Sequence, residues 1–530
     1  MAGKVSALCL AGLLLVGCTK REPVPPAGAA SILRLSQRNE PADLDPAMAT
    51  LPDEIAILRA LSEGLLVPGP NGTAPLPGAA ERFELSPDQL TYTFHLRPDG
   101  RWSNGEPVTA QDFVASYRRV LTPATAAPKA SVFSAVKNAR AFLRGEITDF
   151  SAVGIRAGDA RTLVITLAQP MPRFPYYVAS GPWIPVNPRT VAQHGRAWTK
   201  PGNFVGNGPF TLAEWRPHQH LIVRRNPGWR GAAQVKLAEI RFVHLDNGDA
   251  EDRAFRAGQV EATMSVPASK LEPYARERAA ELHRVPMIET RFLSLNCTRP
   301  PLNDARVRRA LALAIDRQRI VDFVLKGGQP VATRFVPAAL RGATPEKPQA
   351  WEQGFAAEEA RRLLAEAGFT GGQKFPALEL TGWTNAPVLE AVQAMWKKEL
   401  GIDIRISLRD AKVHFAALMA GTYDLGFMTS IPDVADPENM LTDFVSGAAE
   451  NLPHWSDARF DALLEEARTQ AAPATRATML TAAEARLVES AAVLPLYFNT
   501  KIWLMSPRVH GWQEDGLWTR RFEGITLDEK

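Results

Sequence analysis

Residues 423–439 read Tyr423-Asp424-Leu425-Gly426-Phe427-Met428-Thr429-Ser430-Ile431-Pro432-Asp433-Val434-Ala435-Asp436-Pro437-Glu438-Asn439. The stretch from Tyr423 to Ile431, with its apolar run from Leu425 to Met428, reads as a buried strand. Pro437 has the fixed φ and missing N–H that suit the first position of a helix, so Asp436 before it is expected to cap that helix. A buried strand that leaves directly into a capped helix is a step of a layered α/β lobe. Asp433 lies between the strand exit and the cap. In a cleft its carboxylate would meet a ligand ammonium through a charge-assisted hydrogen bond. It would serve equally to form the turn or to cap the helix, and on these residues alone both readings stay open.

The segments on either side continue the alternation. Val307, Ala310, Leu311 and Ala314 recur at helical spacing behind Asn303 and Asp304. Ala360, Leu363, Leu364 and Ala367 do the same and stop at Gly368. Ala377–Leu380 reads as a strand, Val388–Leu400 as a helix and Ile402–Ile406 as a strand. Helices over 460–470 and 475–489 lead into the apolar strand Val493–Phe498. In the first half, Ile32–Leu35, Thr91–Arg97 and Thr162–Leu167 read as strands, residues 54–61 as a helix, and Phe210–Trp215 with Leu221–Arg225 as a hairpin. The pattern is an α/β chain of two lobes, the first with added β material.

The 530 residues leave room for three to four domains at about 150 residues each. With 61 Lys and Arg against 57 Asp and Glu, the net charge of +4 gives no argument for a nucleic-acid partner. Lys4 precedes an apolar run from Val5 to Gly17, the pattern of a secretory signal. The run closes as Leu15-Val16-Gly17-Cys18, which looks like a lipobox, so Cys18 is expected to be lipidated and to anchor the chain to a membrane. Residues 19–30 are rich in Pro and Ala and suit a tether. That leaves Cys297 as a lone thiol, read as a packing residue.

Catalytic motifs are missing. The sequence holds no phosphate loop of the Walker type, no G-x-S-x-G elbow, no H-E-x-x-H and no paired C-x-x-C. Gly206-Asn207-Gly208 supplies only part of a dinucleotide fingerprint. His218-Gln219-His220 would put both rings on one face if it lay on a strand, but a solvated strand end explains it as well. No nucleophile comes with a base. The reading is a non-enzyme without cofactor or metal.

Four stretches together resemble the extracellular solute-binding proteins of bacterial peptide ABC importers, the oligopeptide- and dipeptide-binding type. They are residues 39–46 with Leu61-Ser62-Glu63-Gly64-Leu65, Phe94–Arg97 with Trp102–Phe113, Asn207–Leu212, and Asn303–Leu311. The resemblance implies a type II periplasmic-binding-protein fold: two α/β lobes, a hinge, and an extra β-rich subdomain in the first lobe. The expected division is a signal over 1–17, a linker over 18–30, a first lobe of 31–285 and 495–530 with the subdomain at about 64–190, and a second lobe of 286–494. It implies a short peptide held extended between the lobes by strand-like hydrogen bonds, delivery to an ABC permease, and a monomer in the periplasm or at the cell surface. An Asp four residues before a Pro meets the peptide's ammonium in that family, and Asp433 with Pro437 has that spacing. The backbone of Thr429 and Ile431, and of Thr50 and Leu51 in the first lobe, falls where the family pairs with peptide. The pattern also departs from the family: Ser430 and Ile431 stand where a Trp is usual, Phe427 replaces an Arg, Lys129 a Tyr, and Ala411 a Trp. Main-chain and ammonium recognition carry over; side-chain choice, length and C-terminal contacts do not. A non-peptide cargo on the same fold (a metal chelate, haem or sugar) and an envelope hydrolase are the alternatives.

Overall fold

Strand Ile32–Gln37 runs parallel to Glu239–His244, which is flanked in turn by His220–Arg225 and Phe210–Arg216. This sheet belongs to the first lobe. The hairpin between its last two strands turns at His218, whose φ is +59°. His218 therefore lies in the turn, and the two histidines do not share a strand face. The computed structural model describes residues 31–69, 74–341, 349–350, 352–514, 516–517 and 520–528. Cys18, its signal and its linker lie outside them. No helix among the described residues is long and apolar enough to cross a membrane.

A second, antiparallel sheet stands apart in the order Ala80–Leu85, Thr91–Leu96, Thr162–Thr166, Ile155–Ala157. Strict alternation sends Tyr92, Phe94 and Leu96 inward. They join a core that includes Tyr117, Phe133, Phe174 and Trp183. The Phe133 and Trp183 rings stack at 3.9 Å.

The third sheet orders Ile404–Leu408, Leu378–Gly382, Leu425–Ser430, Leu282–Leu295 and Val493–Leu504. One face packs against the core of Leu311, Leu389 and Trp396, the other against that of Met440, Phe460 and Leu487. Cover on both faces is why Leu425 to Met428 is almost unbroken in its apolarity.

Strands Leu282–Leu295 and Val493–Leu504 pair along most of their length, from Leu282 opposite Leu504 to Ser294 opposite Val493. The ladder shifts register between Pro286 and Thr290. On one side of the shift Trp503 enters the first-lobe core; on the other, Leu496 and Tyr497 enter the second-lobe core. Val493, Leu494, Leu496 and Tyr497 are buried with the second lobe, and Trp503 and Met505 with the first. Near the shift, buried Lys501 is held by Glu514 at 2.6 Å, which Trp512 also reaches at 3.2 Å.

The Asn207–Leu212 stretch has a structural task. Asn207 bonds both the N–H and the carbonyl of Glu63, at 2.8 and 2.9 Å, while the Gly208 N–H reaches the Leu61 carbonyl at 3.0 Å. This docks the end of helix Pro52–Leu61 onto strand Phe210–Arg216. A Cβ on Gly208 would lie 2.6 Å from backbone atoms of Leu61 and Ser62. Gly208→Ala should therefore destabilise the protein by about 1–3 kcal/mol, read as a lowered thermal midpoint against wild type.

Candidate functional site

Asp436 performs the capping. Its carboxylate accepts the Glu438 N–H at 2.9 Å at the start of helix Pro437–Leu441. Arg476 grips the same carboxylate at 2.8 and 2.9 Å, and Asp436 is 1% exposed. Asp433 is thus not needed as the cap. Its two oxygens instead accept from Lys129 Nζ at 3.1 and 2.9 Å, a contact between the second lobe and the subdomain of the first. Two more contacts join the same parts: Arg173 to Asp436 at 3.1 Å and Gln169 to Glu465 at 3.1 Å.

Lys129 and Asp433 keep 35% and 30% of their side chains exposed. At such exposure an ion pair contributes about 0–1 kcal/mol, so the pair adds little to folding and leaves the lobes free to separate. Lys129 also lies in the field of Asp443 and Glu450. Burial would lower its ammonium pKa, but Asp433 foremost, with Asp443 and Glu450, outweighs this and holds it above the usual range. The Asp443 carboxyl is pushed up to about 7 by burial, opposed by Lys129 and aided by Glu450 and Asp433.

Two cavities open between the lobes. The smaller, about 30 Å³, has Asp433, Val434 and Ala435 on one side and Arg59, Tyr176 and Ser180 on the other. Ser180 is 4% exposed and its hydroxyl has no partner among the described residues. The larger, about 430 Å³, shares Tyr176 and runs between Arg173 and the second-lobe residues Leu340, Arg476 and Leu480. Its volume is that of a small-ligand site.

Thr429 and Ile431 sit beside Asp433 on the exit of strand Leu425–Ser430. Strand Leu378–Gly382 pairs with this strand only at Leu425 and Gly426. Past Gly426 it keeps Leu282–Leu295 on one side, and no strand pairs on the other among the described residues. Part of that open edge is spent, because the Phe427 carbonyl faces His414 Nε2 at 2.9 Å. The Thr429 hydroxyl donates to fully buried Glu289 at 2.9 Å, which Asn499 and Arg291 also bind, at 2.8 and 2.7 Å. Thr50 and Leu51 precede helix Pro52–Leu61, and both their N–H groups go to Glu54 at 3.0 Å. Neither cavity is lined by Thr50, Leu51, Thr429 or Ile431.

The substituted positions have separate fates. Phe427 is fully buried against Trp383, its ring 5.5 Å away, and belongs to the second-lobe core. Ser430 is buried, and Ala411 opens helix Ala411–Met419. Only Lys129 is in contact with Asp433. Asp443, Tyr176 and Ser180 carried no local signal that would place them here.

Residues 74–451 match the pattern of the bacterial extracellular solute-binding proteins, family 5, middle part. The chain belongs to this family. Its members are solute-binding proteins, not enzymes, with the two-lobe α/β fold seen here. The chain is 33% identical over 483 residues to the periplasmic murein peptide-binding protein MppA of Escherichia coli, covering 90% of this chain and 89% of that one. It is 31% identical over 521 residues to the E. coli periplasmic oligopeptide-binding protein OppA, covering 97% and 95%. It is 32% identical over 497 residues to the probable deoxycholate-binding periplasmic protein YgiS of E. coli, covering 92% and 91%. A structure of MppA superposes with a TM-score of 0.86 at 30% identity, covering 94% of this chain and 99% of that one. The unliganded open form of MppA gives 0.75. That lower score accords with the three contacts that draw the lobes together here.

Asp443 makes a pH test available. Between about 3.8, its ordinary value, and about 7, the folded chain holds a proton that the unfolded chain has released. Its contribution to stability therefore falls as pH rises through that window. Asp443→Asn should have little effect on the thermal midpoint near about pH 4 and raise it relative to wild type above about pH 7.

Proposed function

We propose that the chain captures a short peptide between its lobes and hands it to an ABC-type membrane permease, as a monomer in the periplasm or at the cell surface tethered through a lipid on Cys18. The observation that carries the reading is the half-open edge of strand Leu425–Ser430 leading to Asp433 at the interlobe crevice. A peptide laid along such an edge gains backbone hydrogen bonds that do not depend on its sequence. In this reading Thr429, Ile431 and Asp433 face it from the second lobe, and Thr50 and Leu51 from the first.

The geometry of helix Pro52–Leu61 supports this. Arg59 near its end lines the Asp433 cavity, and Leu51 stands before its start. At 1.5 Å per residue the two lie about 12 Å apart along the axis, the span of roughly three to four extended residues. The names of OppA and MppA speak of peptides. The YgiS name speaks of deoxycholate, and with Asp433 already neutralised by Lys129 it favours a second reading, a non-peptide cargo on the same fold.

Native mass spectrometry of protein purified without denaturation separates the two. The peptide reading expects retained masses that fragment as a mixture of short peptides; a single species without amide fragmentation would establish the second. Cys18→Ser tests the tether. The variant should leave the membrane fraction and appear in the soluble one, and unchanged membrane association would contradict lipidation there.

A further inference from the structure

The carboxylate at the crevice already has its ammonium. Lys129 Nζ lies 3.1 and 2.9 Å from the two oxygens of Asp433. The partners are 304 residues apart and on different lobes, so the pair forms only when the lobes meet. Resting on the peptide-capture reading above, we propose that Lys129 is a specificity-determining residue that fills the ammonium place on Asp433 from within the chain. The crevice therefore prefers peptides whose amino end is blocked, N-acylated or joined through its α-nitrogen to another group, over peptides with a free amine.

The surroundings support this. A guest ammonium on Asp433 would be pressed against Lys129 Nζ, and that like-charge contact disfavours a free amine. Among the described residues, the other charged group that lines the cavity is Arg59, a cation with an interaction partner of its own. Asp443, pushed up to about 7, is about half protonated around that pH, and Glu450 is a further carboxylate in the field of Lys129. The buried Ser180 hydroxyl, without a partner among the described residues, lines the same cavity. It can donate to an acyl carbonyl, and it could also accept from an ammonium, so by itself it does not choose between the two guests. The peptide amide of a blocked terminus also needs no counter-charge, so it leaves the Lys129–Asp433 pair intact.

The experiment offers wild type, Lys129→Ala and Lys129→Gln an equimolar mixture of random tri- to pentapeptides, half of them N-acetylated, and reads the bound species by native mass spectrometry. Wild type should retain the acetylated half about threefold to fivefold over the free half. Both variants should lose or reverse that preference, since Asp433 is then open to a free amine. Lys129 is partly exposed, and matching thermal midpoints would show that the variants are folded. Preference of wild type for free amines, or an acetyl preference that survives in both folded variants, overturns the inference and leaves peptide capture standing. Retention of neither half by any of the three proteins overturns peptide capture and this inference with it.

Discussion

Two strands, Leu282–Leu295 and Val493–Leu504, cross side by side from one lobe to the other, and the relation of the lobes depends on their pairing. Each is anchored at both ends by core packing, Trp503 in one lobe and Leu293, Leu494 and Leu496 in the other. The break in register at Pro286–Thr290 is where this ribbon is least constrained by its own hydrogen bonds. Fully buried Glu289 lies in the break and ties the two strands to Thr429 through Asn499 and Arg291. Movement of the ribbon is therefore felt next to the open edge of the neighbouring strand. Such placement is suited to a hinge, which needs a few residues that absorb rotation between two rigid bodies.

The contacts that hold the lobes together are made to be undone. Lys129 and Asp433 are both partly exposed and regain water when separated. Arg173 leaves Asp436 without stranding it, because Arg476 and the Glu438 N–H remain on that carboxylate. Three such contacts bias closure by no more than about 3 kcal/mol, on the order of a hundredfold in population. A bias of this size can be reinforced or reversed by a cargo that binds one arrangement better than the other. A dry, apolar interface of the same area would lock the molecule shut.

Much of this was legible along the chain. The helix at Pro437 was readable from Asp436 and Pro437 because a cap is a contact between near neighbours. Strand Thr91–Leu96 was readable because burial on one face writes a period of two into the sequence. Strand Ile404–Leu408 begins two residues later than its apolar alternation suggested, since Gly401 ends the preceding helix in a left-handed conformation and the chain needs a short exit before it pairs. Family spacing singled out Asp433, and Lys129 stood out as a departure from the family pattern. That the two would meet was not readable, because nothing local encodes a contact across 304 residues between separate bodies. The Glu289 cluster was hidden for the same reason: its four members come from three strands that are neighbours only in the folded sheet.

The account stands on an internal ammonium holding the crevice carboxylate while cargo is present. A crystal structure of the protein with its retained cargo tests this most directly. The account predicts Lys129 Nζ still within hydrogen-bond distance of Asp433, with the cargo's terminal nitrogen seated elsewhere. A structure in which Lys129 has swung into solvent and the cargo's own ammonium rests on Asp433 would contradict it.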